Sequence, residues 1–510
     1  MSRDGRSRIR ATLVWLLCTL VVTVAPFDFE VPPPGHEQEF TGFSHWSSQR
    51  APVEFGLNML LFVPFGALVY HGRQRGAANL PPIAITVVAT ALLISFSVEW
   101  LQRLLPGREP SLVDITANTS GALAGVFASR AFGAEIAGWI DELCASVSPT
   151  ALTVALMSVM VISLAVSGWL QARTRLSNWS PEYPLVVGNE RTGDRPWRGT
   201  VSSLEITDSA TPLSLVRRFA AGESVFLPGG SVAKFKFAGD APYRDASGSA
   251  GDLDWTAQPA VSREGTVAMT GHSWLQTHMP ASGLVDRLRE TNAFTVRIRC
   301  ATADPSQTGP ARIVSNSASP LLRNFTVGQD GSDLVVRVRT PLTGPNGTRV
   351  ATVVPEVFTN DEPRDILVAY DGTTLVVAVA RTNQIVRTEL SPGFSAALSL
   401  SPEGVQLPRQ RLYKLGYLAL LFLPPAVLIG LFGHARRDRV MFSTVYAFTA
   451  AVAMEGTLML ASGRAFDIGN ACVTASAGAV VLTIFGAMLW TSGPAIGNRA
   501  LTAVGPFRHT

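Results

Sequence analysis

The sequence predicts a multi-domain membrane protein, in which an α-helical bundle of about eight transmembrane helices is combined with one all-β domain. The chain has 510 residues, of which 47% are hydrophobic and only 16% are charged. Such a composition is typical of an integral membrane protein with a water-soluble part. Two groups of long apolar runs flank a segment in which polar and apolar residues alternate, and this arrangement predicts the two parts.

Eight apolar runs have the length of a membrane-spanning helix or come close to it. They form two groups of four, at 11–26, 55–70, 81–101 and 113–132, and at 150–170, 412–433, 440–461 and 468–491. The first run follows an arginine-rich start, which fits either a retained helix or a cleaved signal peptide. We expect a retained helix.

The distribution of arginine predicts the orientation, because cytoplasmic loops are enriched in basic residues. With the N-terminus inside, the inner ends of the helices hold most of the basic residues of the short loops. The short outer loops then hold Arg50, Arg103, Arg108 and Arg464. Only three of the 42 basic residues are lysines (Lys234, Lys236 and Lys414), a bias that suits a GC-rich bacterial genome. Together these observations predict a multi-pass protein of the bacterial cytoplasmic (inner) membrane with both termini in the cytoplasm.

The segment between the two helix groups has the pattern of β-structure. Residues alternate in Val232–Phe237, Phe294–Cys300 and Leu334–Val338, and Asp371-Gly372 lies between two apolar runs as in a β-hairpin. Short strands at regular spacing predict a jelly-roll β-sandwich. The topology places this sandwich, residues 175–408, outside the cytoplasm.

These predictions divide the chain into five parts. They are a first four-helix domain, an inner linker with the fifth helix, the sandwich, the last three helices and a cytoplasmic tail. The predicted bounds are 1–132, 133–174, 175–408, 409–495 and 496–510.

Polar side chains concentrate where the third predicted helix ends and the fourth begins. We call this set, together with one residue of the second helix, the first polar corner. Ionisable groups at a membrane boundary face a protein interior, pair with each other or mark a functional site. The candidate site residues are Asn58, Glu99, Gln102, Arg103, Arg108, Asp114 and Asn118.

The second helix group repeats part of the first. Leu60–Pro64 matches Leu420–Pro424, and Glu99 precedes Gly107-Arg108 by the spacing at which Glu455 precedes Gly463-Arg464. This repeat predicts a duplicated four-helix unit. Its second copy keeps little beyond Glu455, Arg464 and Asp467, to which we assign a structural role.

Two alignments of the copies remain open. Without a gap, Asp114 corresponds to Asn470 and Asn118 to Thr474. With a three-residue deletion, Asp114 corresponds to Asp467. In either alignment, specific chemistry belongs to the first copy.

Three hypotheses apply to the first polar corner. Arg108 pairs with Glu99 or Asp114 and holds two helix ends together. Alternatively, the amides, the carboxylates and the two arginines bind the head group of a lipid or another amphiphile. As a third hypothesis, two carboxylates act as general acid and base.

Other function classes lack support in the sequence. Basic residues do not cluster in a folded region, so we expect no nucleic-acid partner. The four cysteines (Cys18, Cys144, Cys300 and Cys472) exclude a disulfide framework and a cysteine zinc site. We expect no metal or other cofactor. Calcium bound by Asp330 and Asp333 of the sandwich is not supported by ligand spacing.

The first helix group resembles the VanZ-like membrane protein family. The resemblance covers residues 11–132 and rests on Pro26-Phe27, Asn58 with Leu61–Gly66, and Ser97-x-Glu99-x-x-Gln102. It continues through Pro106–Arg108, Ser111, Asp114, Asn118, Gly121 and Gly125, and a degenerate second copy covers 412–491. The resemblance implies an envelope protein, linked in some members to resistance against glycopeptide antibiotics, without a settled biochemical activity.

The β segment resembles the concanavalin A-like, laminin-G-like sandwiches. That resemblance rests on the strand pattern and on Gly309–Ser315 and Tyr370–Gly372. It implies binding of a carbohydrate or a protein. Trp179, Trp197, Trp255 and Trp274 are available to hold sugars, but most tryptophans in a sandwich belong to the core or are half-buried.

From these observations we expect recognition of a surface glycan, a lipid-linked precursor or an amphiphilic, glycopeptide-type antibiotic. Membrane lipids and cell-envelope glycans are the expected partners. One alternative is a membrane enzyme that modifies a lipid-linked sugar or phosphate at the Glu99/Arg108/Asp114 corner. Another is a structural envelope protein that binds a partner through its sandwich.

Overall fold

The computed structural model describes parts of residues 12–24, and then 51–73, 80–102, 111–146, 148–257, 265–400, 410–432 and 439–489. The chain divides into two compact units. The helical unit comprises the described residues of Met1–Ala165, Leu415–Gly456 and Asp467–Thr510. The β unit comprises those of Val166–Lys414 and Thr457–Phe466.

The described residues between 12 and 24 are helical. The further helices are α1 (Ala51–Arg73), α2 (Leu80–Gln102), α3 (Leu112–Ser146), α4 (Pro149–Ala172), α5 (Leu213–Ala220), α6 (Ser282–Thr291), α7 (Pro392–Leu400), α8 (Gln410–Phe432), α9 (Arg439–Ser462) and α10 (Ile468–Leu489). A short 3-10 helix covers Leu176–Asn178. Helix α3 is continuous through the predicted domain boundary at 132/133.

Four helices among the described residues are long and apolar enough to cross a membrane. They cover Leu80–Gln102, Thr150–Ala172, Gln410–Ile429 and Met441–Ser462, and shorter apolar helices cover Asn58–Tyr70 and Ile468–Leu482. Large apolar side chains such as Ile85 and Leu93 of α2 are exposed on the protein surface. A surface of this kind suits contact with lipid.

Within the helical unit, glycines let α1 and α3 approach each other closely. A methyl group added to Gly121 would lie 2.0 Å from the Met59 carbonyl oxygen, and one added to Gly125 would lie 2.0 Å from that of Val63. Such backbone contact requires small residues, which are common at helix interfaces in membranes. Gly121 and Gly125 therefore have a packing role on the face of α3 that contacts α1.

Helix starts follow from their capping residues. The Val113 N–H donates to Ser111 Oγ at 3.2 Å just before α3, and the Asn470 N–H donates to Asp467 Oδ1 at 2.9 Å just before α10. Each side chain satisfies an N–H group that the first helical turn leaves unpaired.

The β unit contains two antiparallel sheets. The strands are β1 (Leu185–Val187), β2 (Arg198–Thr207), β3 (Ser231–Lys236), β4 (Leu253–Trp255), β5 (Val267–Thr270), β6 (Leu275–Thr277), β7 (Phe294–Thr302), β8 (Ala311–Ser319), β9 (Leu322–Asp330), β10 (Asp333–Val338), β11 (Ala351–Val354), β12 (Arg364–Tyr370), β13 (Thr374–Val379) and β14 (Gln384–Glu389). The first sheet has the order β11-β10-β9-β8-β1-β6-β4. The second has the order β14-β13-β12-β7-β2-β3, and β5 pairs with β2.

The two sheets share one hydrophobic core, so they form a β-sandwich. Val314, Val327 and Val336 of the first sheet and Val296 and Val368 of the second belong to this core. The outer face of the second sheet is covered by α5, whose Val216 and Phe219 belong to a smaller apolar cluster. The predicted two-layer β domain is therefore confirmed, as is the hairpin at Asp371-Gly372, which joins β12 to β13.

Candidate functional site

The first polar corner is organised around Glu99 near the end of α2. Its side chain is 2% exposed, and Oε2 accepts the backbone N–H of Ser111 at 2.9 Å. Ser111 in turn caps α3. Because a buried carboxylate needs hydrogen-bond donors, this bond satisfies Glu99 in part and fixes where α3 begins.

Asn118 lies two turns into α3, where it contacts α2. Its Nδ2 donates to Ser95 Oγ at 2.8 Å, while its Oδ1 has no hydrogen-bond partner among the described residues. Asn118 is only 5% exposed and Ser95 is fully buried. An unsatisfied buried carbonyl is costly, so it marks a position where an added donor would be stabilised.

Gln102, the last residue of α2, connects to the first helical segment. Its Nε2 donates to the Thr23 carbonyl oxygen at 3.1 Å. Thr19, one turn earlier in that segment, is also buried, and its Oγ1 lacks a hydrogen-bond partner among the described residues. Among the described residues of the first helix group, Thr19 Oγ1 and Asn118 Oδ1 are therefore buried polar atoms without a hydrogen-bond partner.

Of the four remaining candidates, two lie among the described residues and two do not. Asn58 on α1 and Asp114 in the first turn of α3 are half-buried. An acidic residue in a first turn is favoured by the helix dipole, which gives Asp114 a structural reason to be there. Arg103 and Arg108 lie outside the described residues, so pairing of Arg108 with either carboxylate stays a prediction.

The second copy repeats the central contact of the first. Glu455 is 1% exposed, and its Oε1 accepts the backbone N–H of Asp467 at 2.9 Å, just as Glu99 accepts that of Ser111. In both copies the capping residue follows the carboxylate by twelve positions. The equal spacing pairs Ser111 with Asp467 and favours the alignment without a gap.

That alignment places Asn470 at the position of Asp114. The Asn470 side chain donates its Nδ2–H to Glu455 Oε2. The second copy thus pairs the Glu455 carboxylate with the Asn470 amide. The first copy has two acidic residues, Glu99 and Asp114, at the corresponding positions. For Arg464, which lies in the β unit, Nη1 donates to the Ala465 carbonyl oxygen at 3.1 Å.

Sequence reasoning did not select Ser95 or Thr23 as members of the corner. Ser95 precedes Glu99 by four residues, so both share one face of α2, and helical spacing alone could have identified it. Thr23 contributes through its backbone carbonyl group, for which the side-chain pattern gives no signal.

The tryptophans proposed to hold sugars divide into two groups. Trp179 and Trp197 are buried in the sandwich core, so they contribute packing, whereas Trp255 and Trp274 are half-buried. Asp330 Oδ1 accepts the Gly309 N–H at 3.2 Å, and Asp333 Oδ1 accepts the Glu356 N–H at 3.0 Å. Both aspartates therefore have a role in loop structure.

The comparison with protein families agrees with the resemblance predicted for the first helix group. Residues 12–133, which are 122 of the 510, match the model of the VanZ/LLP1 family. No curated protein and no solved structure is a significant match to the chain. The apolar helices and this match together indicate a membrane protein of the cell envelope that carries a VanZ-like domain.

Proposed function

We propose that the protein is a bacterial inner-membrane protein that recognises the polar head group of an amphiphile at the first polar corner. The ligand class comprises lipid-linked cell-wall precursors, anionic lipids and amphiphilic glycopeptide antibiotics. The VanZ-like match supports an envelope function. The arginine distribution supports a multi-pass topology with cytoplasmic termini and an external β unit.

The observation that carries the proposal is the buried Oδ1 of Asn118. The Nδ2 atom of the same amide donates to Ser95 Oγ, and this bond fixes the direction of the carbonyl group. Among the described residues, no donor reaches Oδ1. A hydroxyl or N–H group of a head group supplies that donor. Arg103 and Arg108, which follow α2 in the sequence, are suited to a phosphate on the same ligand.

The β unit has a second role in this proposal. Its two-layer antiparallel architecture supports the assignment to the concanavalin A-like, jelly-roll class, and binding of an envelope glycan follows from that assignment. Of the four tryptophans considered for the β unit, the half-buried Trp255 and Trp274 are the two that can contact a sugar.

The test uses the full-length protein in lipid nanodiscs. Undecaprenyl phosphate and a teicoplanin-type lipoglycopeptide are the probes, and native mass spectrometry measures the bound fraction. Asn118→Ala removes the proposed acceptor, and loss of one hydrogen bond lowers affinity by about 2- to 10-fold. Thr474→Ala is the matched control, because Thr474 occupies the corresponding buried position of the second copy.

We expect weaker binding by Asn118→Ala and unchanged binding by Thr474→Ala, with both variants inserted at the wild-type level. Equal binding by all three proteins would show that the corner does not hold the head group. The enzymatic alternative is tested by analysing the same probes for chemical conversion after incubation. An enzyme would convert them, and its Asp114→Asn variant would not.

A further inference from the structure

The face of the first sheet that points away from the sandwich core carries arginine side chains. Val187, Val314, Val327 and Val336 are register partners on four neighbouring strands, and all belong to the core. The adjacent register row therefore faces away from the core, because side chains alternate along a strand. Arg337 lies in that row.

The other members of this row and the loop above it are buried. Arg337 pairs in register with Thr326, which pairs with Ser315, and Ser315 Oγ donates to the carbonyl oxygen of Asn189 at 3.1 Å. Thr326, Ser315 and Asn189 are at most 1% exposed. The loop that contains Asn189 therefore covers this face of the sheet.

Two buried arginines lie under the loop, and the loop itself contributes one buried carboxylate, that of Glu190. Arg312 is 1% exposed, Arg323 is 2% exposed and Glu190 is 0% exposed. The Arg312 Nε donates to Glu190 Oε2 at 3.1 Å, and Ser317 Oγ donates to the other carboxylate oxygen. Glu190 is thus matched to Arg312, while Arg323 forms no ion pair with a carboxylate among the residues that the structure describes.

Several donors in this cluster lack acceptors. Arg323 uses Nη2 to donate to the Pro320 carbonyl oxygen, but its Nε and Nη1 have no partner among the described residues. The same holds for the Nε atoms of Arg195 and Arg337 and for Nδ2 of Asn189. All five atoms are buried N–H donors, and each is costly unless an acceptor is supplied.

We propose that this cluster, formed by Arg195, Arg312, Arg323, Arg337 and Asn189, is a binding site for a tetrahedral oxyanion of the phosphate type. A phosphate group offers four oxygens to the unpartnered donors, whereas a carboxylate offers two. Guanidinium groups match such oxygens in geometry and charge. The half-buried positions of Arg195 and Arg337 form the side from which the anion enters.

The electrostatics of the cluster agree with an anion site. Burial, together with the neighbouring charges of Arg312 and Arg337, lowers the pKa of Arg323 to about 10. Burial also raises the pKa of Glu190, although Arg312 opposes that shift. Positive charge is therefore in excess beneath the loop, and a bound dianion would relieve the mutual repulsion of the arginines.

The test measures phosphate binding to the full-length protein in detergent by isothermal titration calorimetry, with chloride at equal ionic strength as the reference. Arg323→Gln removes two of the proposed donors. We expect this variant to lose affinity by about 10- to 150-fold, the range for a hydrogen bond to a charged group. Without phosphate it should unfold at the same or a higher temperature than wild type, because a buried uncompensated charge is gone.

Arg299→Gln is the matched control, since Arg299 is an exposed strand residue of the other sheet and the substitution changes the net charge equally. Arg337→Gln is a second variant on the entry side and should also weaken binding. The site is refuted if wild type binds phosphate no better than chloride, or if Arg323→Gln or Arg337→Gln binds phosphate as well as Arg299→Gln.

Two sources of the phosphate group are separated in the same assay. Saturable binding of glycerol 3-phosphate, with loss in Arg323→Gln, supports the site and assigns it to a phosphate ester of a larger molecule. Binding of inorganic phosphate alone supports the site and assigns it to the free ion. If acetate binds as tightly as phosphate, the proposed specificity for a tetrahedral oxyanion is wrong.

Discussion

The start of α10 offers a sharp test, because one carboxylate there accepts two donors of different kinds. Glu455 accepts the backbone N–H of Asp467 through Oε1 and the side-chain Nδ2–H of Asn470 through Oε2. Asn470→Asp replaces the donor by an acceptor and sets two carboxylates against each other. Glu455→Gln instead offers an amide to the Asn470 amide. The double variant restores a donor–acceptor pair with the roles exchanged.

The magnitude follows from the type of bond. A hydrogen bond to a charged group contributes about 1.5–3 kcal/mol, and Glu455 is almost completely buried. Each single variant should therefore increase local opening of the first turn of α10 by about 10- to 150-fold. In the double variant Gln keeps an oxygen for the Asp467 N–H, so opening should return to within about fivefold of wild type.

Hydrogen–deuterium exchange of a peptide that contains Asp467 measures this opening in the detergent-solubilised protein. The Ser111 amide, which has the corresponding bond to Glu99 in the first copy, is the internal control and should not change. The fold-increases in exchange of the two single variants, multiplied together, give the rate expected if the two side chains act independently. If the double variant exchanges at that rate, the Glu455–Asn470 bond does not fix the start of α10.

Two further predictions address the helix contact and the β unit. Gly121→Ala places a methyl group 2.0 Å from the Met59 carbonyl oxygen and should destabilise the helical unit by about 1–3 kcal/mol. Gly56→Ala is the control in the same thermal unfolding assay and should be neutral or slightly stabilising, because its methyl group would meet no atom within 4 Å outside its chain neighbours and its own helix backbone. Burial raises the pKa of Asp208, but hydrogen bonds from Arg287 and the Gly230 N–H outweigh it and lower that pKa below its ordinary 3.8. Its contribution to stability is thus present above pH 3.8 and lost as the pH falls through the folded value, so Asp208→Asn should flatten the acid limb of a pH titration of the unfolding temperature. An unchanged acid limb would contradict that assignment.

The sequence predicted the elements that depend on local patterns. Apolar runs of spanning length gave α2, α4, α8 and α9, because a helix long enough for a bilayer leaves a continuous signal along the chain. The Asp371-Gly372 hairpin was predicted in the same way, since turn chemistry lies within a few neighbouring residues.

The first polar corner was predicted as a region, but its contacts were not. Helical spacing placed Glu99, Gln102 and Asn118 near a boundary between helices. The partners Ser111, Thr23 and Ser95 depend on how separate helices dock, and Thr23 contributes only its backbone. A residue pattern specifies a face of a helix, whereas the docking of two helices specifies which atoms meet across it.

The arginine cluster shows most clearly what tertiary structure decided. Arg312, Arg323 and Arg337 lie on three successive strands, and irregular pairing of β8 with β9 at Arg312/Val314 and near Ser317 interrupts simple alternation. From the sequence alone these arginines look like ordinary solvent-facing residues of strands. Strand register brings them to one face, and they are covered by a loop whose Glu190 precedes Arg312 by 122 positions in the chain. The sequence by itself therefore determined the membrane and β parts, because periodicity is local, while the sites arise from distant residues that only the packed structure brings together.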